Sequence, residues 1–296
     1  MTTGTPIERL ALYFSATRTR QGILARAALG TPEPGDAALS DELARAMSAE
    51  LRADGSVGGG AVPTIWRAHE LLDLGRGPDD RAVVRLVGWL TERQGKPGAY
   101  GQGCDKARHA QRLCEHYLVG FYAPAPPTER LAPITLPNGK VFRSEPAARF
   151  AISCLGLRAS LRAGVRHTPG VVQHLDSLTV LAAQWMSWTG FFAPDMMVAG
   201  LHALALAGPA YRETVVTLVD LVAAHQRPDG EWPAADIFPT LEALVATGLP
   251  AALAVVRRAV PAVAGRQRVD GSLGPTAQQE RALIGLRALL WAEAAP

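Results

Sequence analysis

Three carboxylic acids stand where a helix start or a helix face could carry them into an enclosed space. Asp195 begins the apolar stretch 194–207, Asp236 precedes the stretch 240–248, and Glu242 lies inside it. A carboxyl group at a helix N-terminus feels the positive end of the dipole, which favours its anion, whereas burial in a dry cavity favours the neutral acid. The acid best placed to give or take a proton is one for which burial wins, so Glu242 ranks beside Asp236 and ahead of Asp195. A second group lies between 104 and 122, where Asp105, His109, Arg112 and His116 follow at i, i+4, i+7 and i+11 and share one helix face. That stripe could look into a cavity or into solvent. Cys104, Asp105 and His109 also have the donor types of a zinc site, but a His–carboxylate hydrogen bond across one turn is the simpler explanation of the pair, and no metal is expected. Asp79-Asp80 has no third acid beside it for Mg²⁺ and suits a helix cap.

These residues need elements to position them, and the elements are repeated. Residues 226–232, QRPDGEW, put a turn glycine between two apolar helical stretches. The same turn recurs at Gly55, Gly98, Gly139, Gly190 and Gly271, at intervals of roughly 40 to 50 residues, the range of helical repeats. Gln94, Gln226 and Gln267 each precede their glycine by four residues, where a side-chain amide can satisfy carbonyls at a helix end. Trp232, and Tyr100 at the matching place, offer rings to pack between units.

Gln226, Gly230 and Trp232 reproduce the Q-x-x-x-G-x-W repeat of squalene and hopene cyclases; Gln94, Gly98 and Tyr100 follow it with Tyr for Trp, and Leu273 stands in the Trp place after Gln267. The chain thus resembles the superfamily of terpenoid cyclases and protein prenyltransferase β subunits. The resemblance implies an all-α fold, an (α/α)6 toroid of six helix-pair repeats around a central cavity. It also implies an acid in a D-x-D-D-T stretch. Residues 236–240, DIFPT, keep the first Asp and the Thr but carry Phe238 and Pro239 in place of the other two acids. Asp236 could therefore be an N-cap and no more.

Length alone would allow two domains, but the unbroken repeat argues for a single domain over 1–296, with a Pro-rich insertion at about 123–146. That insertion holds six prolines and reads as a lid. Helices are expected over 7–29, 38–53, 64–74, 80–93, 104–122, 147–162, 171–188 and 194–207. The cluster QWMSWTGFFAPDMM at 184–197 could line a greasy pocket, touch a membrane surface or pack one repeat on the next. A net charge of +3 with interspersed signs gives little reason for a nucleic-acid partner. Three cysteines and no signal-peptide pattern suit the cytoplasm, with peripheral membrane contact left open. No cofactor is expected, because the Gly-rich 56–63 lacks the preceding strand and the Lys of a phosphate loop.

Two functions follow. The first is a terpene cyclase-like or prenyltransferase-like enzyme, an isomerase or lyase, acting on an isoprenoid or similar elongated apolar substrate. Its cavity would be lined by Trp66, His109, His116, Arg149, Phe150, His202 and Phe238, with Asp236, Glu242 and Asp195 as candidate acids. The second is a non-catalytic toroid that binds a lipid-like ligand or a protein. The missing acids favour the second, and aromatic side chains at cavity-facing positions favour the first.

Overall fold

The computed structural model of the chain describes residues 4–94, 122–126, 128–183, 185, 188 and 194–294. Among these the chain is mostly helical. The α-helices are α1 (Pro6–Ser15), α2 (Arg20–Leu29), α3 (Asp36–Ala49), α4 (Ala61–Asp73), α5 (Arg81–Arg93), α6 (Glu145–Arg162), α7 (Pro169–Ala182), α8 (Pro194–Ala205), α9 (Arg212–Ala224), α10 (Ile237–Thr247), α11 (Pro250–Gly265) and α12 (Gln278–Ala294). Two short strands, β1 (Ile134–Thr135) and β2 (Val141–Phe142), pair antiparallel.

Helix starts follow local chemistry. Thr5 and Glu8 form a reciprocal capping box, Asp80 and Asp236 accept backbone N–H groups of the first turn, and Pro169 and Pro250 begin their helices without an N–H to lose. Thr19 caps Gly22 in the same way, so the helix expected over 7–29 is two helices divided at 16–19.

Packing sorts the helices into two sets. Among the even-numbered ones α2 packs on α4, α4 on α6, α6 on α8, α8 on α10, α10 on α12, and α12 back on α2, so the order closes on itself. The odd-numbered helices rest against them: α1 on α12 and α2, α3 on α2 and α4, α5 on α4 and α6, α7 on α6 and α8, α9 on α8, α11 on α10 and α12. Burial follows the division. In α6 nearly every residue from Ala148 to Leu161 is buried, as a helix enclosed on all sides requires. In α5 one face, with Val83, Leu86, Val87 and Leu90, is buried while Val84 is exposed.

The repeated Gln and Gly have a common geometry. The Gln226 amide donates to the carbonyls of Gly230 and Val255, 3.0 Å each, and accepts from Arg258 Nε at 2.8 Å. Gln267 does the same with Gly271, Pro6 and Arg9, which ties the last turn to the first helix. Gly55, Gly230 and Gly271 all have φ between +85° and +90°, and a Cβ on them would lie 2.5 to 2.7 Å from the carbonyl oxygens of Arg85, Arg258 and Arg9. Gly230→Ala is expected to cost about 1–3 kcal/mol in urea melts. Gly248→Ala, also at positive φ but with open space around it, should cost less.

Gly139 departs from this pattern. Asn138-Gly139 was expected to join two helices, but it closes the β1–β2 hairpin, with Ile134 opposite Phe142. Alternating residues on either side of an Asn-Gly pair favour a hairpin over a helical turn. The hairpin sits in the Pro-rich segment, which α6 holds in place. Glu145 accepts the N–H groups of Leu131 and Ala132, and Arg149 donates to the carbonyls of Ala125, Pro126 and Glu129. The turns at Gly98 and Gly190, and the helix expected over 104–122, lie outside the described residues.

Candidate functional site: a two-chambered lumen

Two cavities share a waist formed by Trp66, Arg158, His202 and Glu242. Along α6 the lining passes from Ala151 and Leu155 in the first chamber, through Arg158, to Arg162 in the second. Along α8 it passes from Asp195 and Val198 to His202 and then Leu206, and along α10 from Pro239 to Glu242 and Val245. The first chamber, about 40 Å³, is mostly apolar and is roofed by Leu136, Asn138, Lys140 and Phe142, alternate residues of the hairpin. The second, about 280 Å³, is lined by charge.

That charge is organised around Asp73. Its carboxylate takes Arg162 at 2.5 Å and a close contact from Arg20, and Arg20 also reaches Glu280 at 2.7 Å. Burial pushes the Asp73 carboxyl up, but Arg162 and Arg20 outweigh burial and hold it below the usual range. His69 is fixed by both ring nitrogens. Nδ1 accepts from Arg162 at 3.0 Å, so Nε2 carries the proton and donates to the Leu155 carbonyl at 3.1 Å. His69 and His202 are both pushed well below the ordinary imidazole value, first by burial and then by Arg158 beside them. Among the described residues no hydrogen bond to His202 is seen; the Glu242 carboxylate lies beside it, with Oε2 4.0 Å from Nδ1. Glu242 in turn accepts from Arg158 at 3.1 Å.

The residues singled out from the sequence are distributed unevenly. Trp66, His202 and Glu242 line both chambers, and Asp195 lines the first, where Lys140 pairs with it. Asp236 is outside the lining of both. Its Oδ1 accepts the Phe238 N–H at 3.1 Å and its Oδ2 accepts from Arg281 at 2.9 Å, while its own N–H donates to Asp195 Oδ1 at 3.1 Å. Phe238, expected as a wall, is buried beneath the Arg281 guanidinium, and it is Pro239 beside it that faces the first chamber. Phe150 likewise packs edge-on to Trp185 in the core, outside both linings, while Ala151 beside it faces the first chamber. Arg149 is spent on the Pro-rich segment instead of a ligand, because three carbonyls there need donors. His109, His116, Cys104 and Asp105 lie outside the described residues. Arg20, His69, Asp73, Arg158 and Arg162 were missed. The i, i+4 spacing of His69 with Asp73 and of Arg158 with Arg162 was the available signal.

Among the described residues no cluster of His, Cys, Asp and Glu could hold a metal ion, and no helix is long and apolar enough to cross a membrane.

No family model matches this chain, and no curated protein matches its sequence. Solved structures do match in fold. A variant of the type II terpene cyclase MstE from Scytonema, without ligand, superposes with a TM-score of 0.56 at 13% identity, over 97% of this chain and 96% of that one. A second variant, in complex with geranylgeranyl dihydroxybenzoate as substrate, gives 0.54 at 15% identity over 96% and 87%. A third, in complex with the product merosterolic acid A, gives 0.53 at 14% identity over 97% and 86%. The class that fold and comparison define is the terpenoid cyclase-like fold. At these identities the likeness is one of architecture.

Proposed function

We propose that the chain is a six-pair α/α toroid of the terpenoid cyclase type, the even-numbered helices forming its inner ring, and that it isomerises an isoprenoid-bearing substrate held in the lumen. The observation that carries this is the lumen itself: a closed circuit of helices around two joined chambers, with Trp66, Arg158, His202 and Glu242 at the waist. The second chamber approaches the roughly 300 Å³ at which small-molecule sites begin. The ligands of the MstE structures, geranylgeranyl dihydroxybenzoate as substrate and merosterolic acid A as product, supply the substrate class to test. In this reading Asp195 and Glu242 are the candidate acids. Asp236 ranks below them, since it lies outside the lining of both chambers. The aromatic face of Trp66 would stabilise positive charge. A cytoplasmic protein meeting its lipid at a membrane surface fits this reading.

A second reading, a toroid that binds without reacting, draws on one observation: each candidate acid already has a basic partner, Lys140 for Asp195, Arg158 for Glu242 and Arg281 for Asp236.

The test is incubation with geranylgeranyl dihydroxybenzoate and with squalene, followed by chromatography and mass analysis. A cyclase gives products of unchanged mass and new retention, and Asp195→Asn or Glu242→Gln should lower the rate about 100-fold if that acid gives the proton. Binding detected by thermal shift with no conversion would select the second reading.

A further inference from the structure

Protonating an alkene starts a cation that must also be ended, and the groups lining the lumen differ in their fitness to end it. Asp195 is occupied by Lys140, Glu242 by Arg158, and Asp73 by two arginines. His69 has both nitrogens engaged. His202 remains. It is 6% exposed and lines both chambers, and no hydrogen bond to it is seen among the described residues. It also stands seven residues after Asp195 on α8, two turns or about 10 Å along the axis. Between them Val198 and Ala199 face the apolar first chamber. One helix face therefore presents an acid at the roof, an apolar stretch, and at the waist an imidazole whose charged contact is Glu242.

We infer that His202 is the proton acceptor that ends the reaction, removing a proton from the carbon next to the final cationic centre; this rests on the cyclase reading above. The Glu242 carboxylate, 4.0 Å from Nδ1, favours the proton on that nearer nitrogen and leaves the lone pair on Nε2. The C–H bond breaks, its electron pair becomes the second bond of a new alkene, and the proton passes to Nε2. Glu242 offsets the charge of the imidazolium so formed. The proton then leaves to water in the polar second chamber, which restores the neutral ring, and no oxidant or reductant is consumed. Burial first, and then Arg158 beside it, push the imidazole below its ordinary range, which favours the neutral ring an acceptor needs. In the absence of the imidazole, water from the second chamber would add to the cation, its oxygen bonding to carbon and its proton passing to solvent.

The experiment supplies geranylgeranyl dihydroxybenzoate to the wild type, His202→Ala and His202→Gln, with thermal melts to verify folding, and measures both substrate consumption and the ratio of alkene to alcohol products. Expected is continued consumption by both variants with the alkene-to-alcohol ratio lowered at least about tenfold. Added imidazole should restore the alkene in His202→Ala, a recovery that a merely structural role would not give. The same alkene at the same ratio in folded variants would overturn the assignment and leave the cyclase reading standing. No conversion by the wild type would overturn both.

Discussion

Replacing Asp73 by Ala is expected to cost about 3–5 kcal/mol of stability, the range seen when one member of a buried charge pair is removed and its partner is left behind. Asp73 ends α4, and its two partners come from α2 and α6. Arg20 is 5% exposed in its side chain; with Asp73 gone it keeps only Glu280, and its Nε already lacks a partner. Arg162 is 27% exposed, so water screens part of its loss, and the lower end of the range applies if it relaxes outward. Urea unfolding of Asp73→Ala measures the cost. The double variant Asp73→Ala with Arg20→Leu should recover part of it, because the stranded charge goes with the arginine. A loss below about 1 kcal/mol would show that the cluster is solvated and not holding the helices together.

Acid is expected to destabilise the fold well before its carboxylates titrate. His69, His174 and His202 are buried, and burial lowers all three from the usual imidazole range, His174 to about 3. In the unfolded chain each would take up a proton near pH 6.5. Below that pH the unfolded state binds protons that the folded state refuses, so stability is full above about pH 6.5 and falls as pH drops toward the folded values. The slope is up to about 1.4 kcal/mol per pH unit for each His, or about 4 kcal/mol per unit if all three titrate together. Asp36, Asp73 and Glu145 are held below their usual range, and what they contribute is lost only further down, as pH falls through the carboxylate region. Urea midpoints at pH 7.5, 6.0 and 5.0 should fall steadily. His174→Phe, which keeps a ring to stack on Tyr122, should flatten the slope by about one third. A midpoint unchanged between pH 7.5 and 5.0 would show that these histidines protonate freely in the folded protein.

The helices from α3 to α8 were legible within a few residues at most ends, because apolar periodicity, N-caps and Pro or Gly stops are local signals. The errors were local too. Thr19, a cap inside an apparent long helix, and Asn138-Gly139, a hairpin turn inside a glycine interval, both lost to a longer-range pattern that seemed to include them. In the site the acids were found and their partners were not. Lys140, Arg158 and Arg281 meet Asp195, Glu242 and Asp236 from positions 45 to 84 residues away, and nothing in the spacing joins them.

By itself the sequence determined the helical class and the repeated turns at Gly55, Gly230 and Gly271, where a positive φ, and at the last two a bond from Gln to the glycine carbonyl four residues on, are set by a few neighbouring residues. Tertiary structure alone decided which side chains meet in the lumen. Arg20 and Glu280 are 260 residues apart and become neighbours only because α12 returns to α2. It also decided that Phe238 is buried in the core while Pro239 beside it faces a chamber, a difference of one position that depends on how α10 is rotated between α8 and α12. Helix periodicity fixes which residues share a face, but the direction of that face is set by the helices packed around it.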